Sequence, residues 1–220
     1  STHKVMVAAN FVGESEVFTW DARSGMLQHH SFLPTVGASS LKCFNMNGTL
    51  FLAVAQFFDP DAFTHHLESP LFHWSDNAFE PVHSISTNGA RDVNHLSLDG
   101  RSMLVVVNEL GSTDIYEWDA MAYQFVLLQS LDTLQATSSA VRDSAAAGVF
   151  LAVSQATGCK DVQTGESGAC SLIYRWDGSH FQGISSPATL LADTAGGQAL
   201  SSLRSQHVLF VEDEAGGHAE

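Results

Sequence analysis

Basic residues are scarce: 9 Lys and Arg stand against 24 Asp and Glu, leaving a net charge of −15. A surface that acidic repels phosphate backbones and anionic headgroups. It excludes nucleic acid and anionic membrane as partners and favours cations or basic protein surfaces. Long hydrophobic runs are also missing. The longest, at residues 50–55 and 103–107, are strand-length, well short of the ~18–20 apolar residues that cross a bilayer, so no membrane insertion is expected. Sustained helical periodicity occurs nowhere, and only residues 190–203 leave room for a turn of helix. The chain has no initiator methionine, signal peptide or targeting tail, so it reads as a processed or excised segment. No G-x-S-x-G elbow, P-loop or dinucleotide fingerprint is present, and nothing orders the Ser, His and Asp residues into a triad. The expectation is a protein without catalysis.

Cysteine is sparse, with only Cys43, Cys159 and Cys170. The last two flank a Gly-, Lys-, Asp- and Thr-rich stretch between two strand patterns. Either they form a disulfide that clamps this hairpin, which is the preferred reading, or they are two thiols in a long loop. A bridge would imply an oxidising compartment. Cys43 alternates with Leu41 and Asn45 along a strand and reads as an inert, buried thiol. Asn47-Gly48-Thr49 is an N-glycosylation sequon in a turn, and with the cysteine pair it favours a secreted or cell-surface protein.

What the chain does have is a repeated phrase. EVFTWD (16–21), PLFHWS (70–75), DIYEWD (114–119) and LIYRWD (172–177) are alternating strands that run to Trp20, Trp74, Trp118 and Trp176, spaced 54, 44 and 58 residues apart. Such a period marks a repeat architecture. In the third copy, residues 92–98 alternate and Asp99-Gly100 makes a hairpin turn. Residues 102–107 form a continuous apolar run typical of a strand buried on both faces. The phrase itself and a fourth strand at 123–131 complete the copy, giving strands A to D in order. The continuous strand B recurs at 4–8, 50–54, 149–153 and 207–211. The predicted fold is all-β: a β-propeller of four-stranded antiparallel blades. Counted from strand B, the repeats are approximately 3–46, 47–98, 99–144 and 145–203, with a partial unit at 204–220. Four units plus one strand cannot close a ring alone, so the chain is expected to be part of a larger one.

In this scheme Trp20, Trp74, Trp118 and Trp176, with Phe79, Phe125 and Phe181, staple neighbouring blades together. Variation in length concentrates in the B–C loops, which swell in the second copy (57–69) and the fourth (156–171). Loops on one face of a repeat array carry specificity. Phe57, Phe58 and Phe63 are therefore either exposed hot spots for a partner or packing for their own loop. Adjacent residues on a strand point to opposite faces, so neither His29-His30 nor His65-His66 chelates a metal easily.

The phrases together resemble the EAR, or EPTP, repeat (epilepsy-associated repeat). The likeness is carried by Phe51 to Ala55, Phe150 to Ser154, Ile115 to Asp119, Ile173 to Asp177, Phe125 to Leu131, and Asp92-Val93 ahead of Gly100. The resemblance implies a seven-bladed propeller in secreted or cell-surface proteins, protein–protein binding to receptor ectodomains, and no required cofactor. It also makes Asp92 a candidate calcium ligand at the start of strand A, the alternative being a turn-capping Asp. A carbohydrate-binding propeller is a second reading, disfavoured because the loops differ from blade to blade. A structural part of a large extracellular or ciliary assembly is a third.

Overall fold

The computed structural model describes residues 5–144, 148–160 and 167–184. These residues form four antiparallel sheets with no helix. The first contains β1 (Val5–Ala8), β2 (Ser15–Asp21) and β3 (Met26–Leu33). The second contains β4 (Ala38–Met46), β5 (Thr49–Gln56), β6 (His66–Ser75) and β7 (Ala78–Asn88). The third contains β8 (Ala90–Leu98), β9 (Arg101–Asn108), β10 (Thr113–Asp119) and β11 (Gln124–Leu131). The fourth contains β12 (Ala136–Ser144), β13 (Gly148–Lys160), β14 (Ser167–Trp176) and β15 (Phe181–Gly183).

Each four-stranded sheet is a simple meander in the order A-B-C-D. Units counted from strand B therefore end on the strand A of the following sheet. Residues 204–220, the partial fifth unit, lie outside the described residues.

Local chemistry explains the meander. Asp99 and Gly100 have φ of 51° and 78°, and Asn47 and Gly48 have φ of 49° and 82°. Two successive positive φ angles give a hairpin turn whose twist matches that of the flanking strands, which is why Asn-Gly and Asp-Gly are favoured there. The apolar strands β5, β9 and β13 lie second in each sheet and are buried on both faces, as their continuous hydrophobic runs predict.

The core lies between sheets. One cluster joins Val17 and Leu33 of the first sheet to Leu52, Val54 and Phe72 of the second. A second joins Phe51, Ala53 and Leu71 to Leu104, Val106 and Phe125 of the third. A third joins Met103, Val105 and Ile115 to Leu151, Val153 and Phe181 of the fourth. Each B strand sends alternate side chains into the cluster before it and the cluster after it, as a period of two requires. Strands A of successive sheets also touch, β4 with β8 and β8 with β12. The four sheets are stacked blades.

Two sequence expectations need revision. Residues 156–171 are not simply a long loop: β13 continues to Lys160 and β14 starts at Ser167, with a register shift between Gln155 and Cys159. Cys43 is a free thiol, but an exposed one rather than a buried one. It lies on the face of β4 turned towards the first sheet, where the described residues provide no strand A to cover it.

Candidate functional site

Because the strands alternate in direction, the B–C and D–A loops emerge on one face of the array, and the A–B and C–D turns on the other. The B–C face has an internal framework that the sequence reading missed. Among the described residues, each apolar B run is followed within two residues by an amide: Asn10, Gln56, Asn108 and Gln155. Gln56 Oε1 accepts the backbone N–H of Val36 at 2.7 Å, Asn108 Oδ1 that of Asn88 at 3.2 Å, and Gln155 Oε1 that of Leu134 at 2.5 Å. In each case the N–H belongs to the end of strand D or to the D–A connection of the preceding blade. The same side chains donate forward to strand C or the residue before it: Asn10 to Glu14 O, Gln56 to Glu68 O, and Asn108 to Ser112 O. Gln56 and Asn108 therefore each pin a loop of one blade to the next strand of their own, and Gln155 does so through Cys170 Sγ at 3.5 Å.

Buried hydroxyl pairs accompany the pins, at Ser15–Thr35 (2.7 Å), Ser69–Thr87 (2.9 Å) and Thr113–Thr133 (3.1 Å). A buried hydroxyl without a partner costs about 1–3 kcal/mol, so the pairs satisfy one another. The signal was available in the sequence, as an amide at the end of each B run and a Ser/Thr at the entry to strand C.

On this framework sits an aromatic shelf. Phe57 N donates to Gly37 O at 2.8 Å, docking the second B–C loop against the preceding D–A loop. Gly37 has φ +58°, and a Cβ there would collide with the carbonyl of Phe58, so only glycine permits the approach. The loop is closed at its tip by the Asp59–Thr64 backbone pair, and Asp59 Oδ1 accepts the N–H groups of Asp61 and Ala62.

Phe57 packs on His65 (4.7 Å between ring centroids) and Phe11 (6.2 Å), beneath the guanidinium of Arg91 at 3.4 Å. Arg91 is also ion-paired with Glu109. Phe58 packs on His65 (4.7 Å) and Phe63 (5.4 Å). The two readings of this trio divide between its members: Phe57 and Phe58 are half-buried in the loop, whereas Phe63 is 83% exposed, held at φ 52°. Phe11, Val12, Val36, Leu110 and Leu134, all in loops of this face, are exposed as well. The acids of its described loops are Glu14, Asp59, Asp61, Glu109 and Asp132, and Arg91 at its foot is already paired. The described loops of this face thus carry exposed apolar side chains together with acids.

The tryptophans occupy the blade boundaries. Trp74 packs on Phe79 (4.9 Å) and reaches His30 of the first sheet (5.8 Å). Trp118 packs on Phe125 (5.1 Å) and reaches Phe51 of the second (5.6 Å). Trp176 packs on Phe181 (5.1 Å) and lies beneath Arg101 of the third (5.3 Å). Trp20, on the outer face of the first sheet, is 44% exposed. Arg101 is held by Glu117 through two bonds of 2.6 and 2.7 Å. That pairing lowers the Glu117 pKa and raises that of Arg101.

Asp92 sits where three A strands meet. Its Oδ1 accepts Ser40 Oγ from β4 at 2.9 Å; its Oδ2 accepts Asn94 Nδ2 at 3.0 Å, Ser139 N at 2.8 Å and Ser139 Oγ at 3.0 Å, the last two from β12. These donors satisfy the carboxylate as a stitch across blades. No group of three or more His, Cys, Asp or Glu able to hold a metal exists among the described residues. The surroundings of Asp92 do not fit a calcium site, which needs six to eight oxygen ligands.

Asn47 is exposed in the β4–β5 turn on the opposite face. Cys170 is disulfide-bonded and stands opposite Gln155 in the β13–β14 register, while the side chain of Cys159 lies outside the described residues.

With this geometry in view, the EPTP domain pattern matches residues 78–119. The match opens at β7, where Phe79 meets Trp74, and ends on the Trp118-Asp119 phrase, so its phase runs across the boundary between two blades. Over that span the chain is similar to the EPTP, or EAR, repeat. Two relatives are the thrombospondin-type laminin G domain and EAR repeat-containing proteins of Mus musculus and Homo sapiens. The mouse protein is 29% identical over 118 residues, covering 50% of this chain and 17% of its own length. The human protein is 29% identical over 136 residues, covering 58% and 20%. The chain thus spans about a fifth of the curated relatives it matches. Among solved structures, a candidate 6-phosphogluconolactonase of Bacteroides fragilis superposes with a TM-score of 0.50 at 9% identity, covering 83% of this chain and 66% of that one. At that identity the likeness concerns fold alone, and the fold is a β-propeller.

Proposed function

We propose that this EPTP-repeat chain is a non-catalytic, extracellular binding module that takes a protein partner on its B–C and D–A loop face. The observation that carries the reading is the aromatic shelf: Phe57, Phe58 and His65 are locked into the loop, and Phe63 is presented outward on them. An exposed aromatic held in position by a ring packed behind it is a usual form of interface hot spot. The acids of these loops select for basic residues beside apolar ones on the partner. The extracellular assignment draws support from the relatives, named for thrombospondin-type laminin G domains, and from Cys170, which is disulfide-bonded.

The test is a binding screen of the purified chain against soluble receptor ectodomains. A true ligand is one whose binding is lost in Phe63→Ala and retained in Met121→Ala, a substitution at an exposed residue of the opposite face. Saturable binding to a glycan array, unaffected by Phe63→Ala, would replace this reading with a lectin.

A further inference from the structure

The A–B turns of the second and third blades offer a comparison internal to the chain. Asn47-Gly48 and Asp99-Gly100 adopt the same pair of positive φ angles, 49° and 82° against 51° and 78°. Both close the same hairpin, Met46 pairing Thr49 and Leu98 pairing Arg101. The turn therefore accepts Asp as readily as Asn, and nothing in its geometry calls for the amide. Asn47 is exposed, and no hydrogen bond ties its side chain among the described residues. Space beyond the turn is open, since a Cβ built on Gly48 meets nothing within 4 Å. Thr49 follows at the second position, completing the one Asn-x-Ser/Thr triplet in the chain.

We infer that Asn47 is an N-glycan acceptor, and that the glycan covers the A–B turn face while leaving the B–C loop face clear. In the transfer, Asn47 Nδ2 attacks the anomeric carbon of a polyprenyl-diphosphate-linked oligosaccharide. The C–N bond forms as the C–O bond to the diphosphate breaks. The polyprenyl diphosphate departs with the electron pair, and the amide proton passes to a base of the transferase. The glycan is a bulky, solubilising group on an otherwise bare hairpin tip. It makes the two faces of the propeller unequal, so that a partner meets the aromatic shelf and not the turns.

For its compartment the inference rests on the extracellular reading, and the test keeps the two apart. The chain is translated behind a secretory leader into endoplasmic-reticulum microsomes, beside Asn47→Asp and Thr49→Ala, with a known glycoprotein as control. The expected result is a discrete mass step in the parent chain that is removed by peptide-N-glycosidase and absent in both variants. Asn47→Asp should keep the parent denaturation midpoint, because the third blade already builds this turn from Asp. A parent chain that keeps its unmodified mass while the control is glycosylated would overturn the inference. If Asn47 is modified in microsomes but bare in protein taken from its own source, the acceptor stands and the extracellular reading falls.

Discussion

Replacing Trp118 by Ala should cost far more than replacing Trp20 by Ala, although the two occupy the same place in their repeats. Trp118 lies between blades, with ring centroids 5.6 Å from Phe51, 5.0 Å from Tyr123 and 5.1 Å from Phe125. Truncating a packed Trp costs about 3–5 kcal/mol, as transfer energy plus a residual cavity. Because Trp118 is only partly buried, a loss of about 3 kcal/mol is expected. Trp20 lies on the outer face of the first sheet and is 44% exposed, so little packing is lost and the change should stay below about 1.5 kcal/mol. Urea unfolding followed by circular dichroism measures both. At a slope of about 2 kcal/mol/M, Trp118→Ala should lower the midpoint by about 1.5 M with the slope unchanged. Equal shifts, or a larger one for Trp20→Ala, would refute the claim that these tryptophans act by bridging one blade to the next.

Other outcomes follow from the same contacts. His95 stacks on Phe44 at 4.1 Å and bonds Ser102; burial, helped by the Lys42 charge, lowers its pKa to about 4. Since the unfolded chain takes up this proton at its ordinary pKa and the folded chain does not, stability should fall as pH drops from about 6.5 to 4. The loss is up to about 3 kcal/mol, and His95→Gln should flatten that part of the pH profile. Gln56→Leu removes the acceptor of the Val36 N–H, so hydrogen exchange at Val36 should accelerate while amides of β9 keep their protection. Asp92→Ala leaves Ser40, Asn94 and Ser139 without their shared acceptor and should cost about 2–4 kcal/mol. Adding calcium or a chelator should leave the thermal midpoint of the parent chain unchanged.

Much of the fold was legible because β-structure here obeys short-range rules. Alternation placed the Trp phrases on β2, β6, β10 and β14. Asp99-Gly100 announced its own turn, and unbroken apolar runs announced the doubly buried β5, β9 and β13. The Trp118–Phe125 pair was legible from spacing, since the C–D turn brings the two residues opposite each other in register.

The features that build the loop face were not read. Gln56 and Asn108 look like ordinary polar residues at strand ends, and their meaning depends on a backbone N–H about 20 positions earlier in another blade. Asp92 shows the converse difficulty. An acid at the start of a strand looks like a metal ligand until the hydroxyls of Ser40 and Ser139 arrive from neighbouring blades. The fate of Phe57, Phe58 and Phe63 was open in sequence because it is decided by the approach of Gly37, which belongs to a different repeat.

The central claim is that the loop face, centred on Phe63, binds a protein partner. Its most direct measurement is the affinity of the purified chain and of Phe63→Ala for the same captured ectodomain, with thermal midpoints recorded alongside. Phe63 is exposed, so its truncation should leave the midpoint within about 1 °C. As a hot spot it should weaken binding by at least about 30-fold, the equivalent of 2 kcal/mol. Unchanged affinity in Phe63→Ala, together with loss of binding in Met121→Ala, would place the interface on the opposite face and contradict the account.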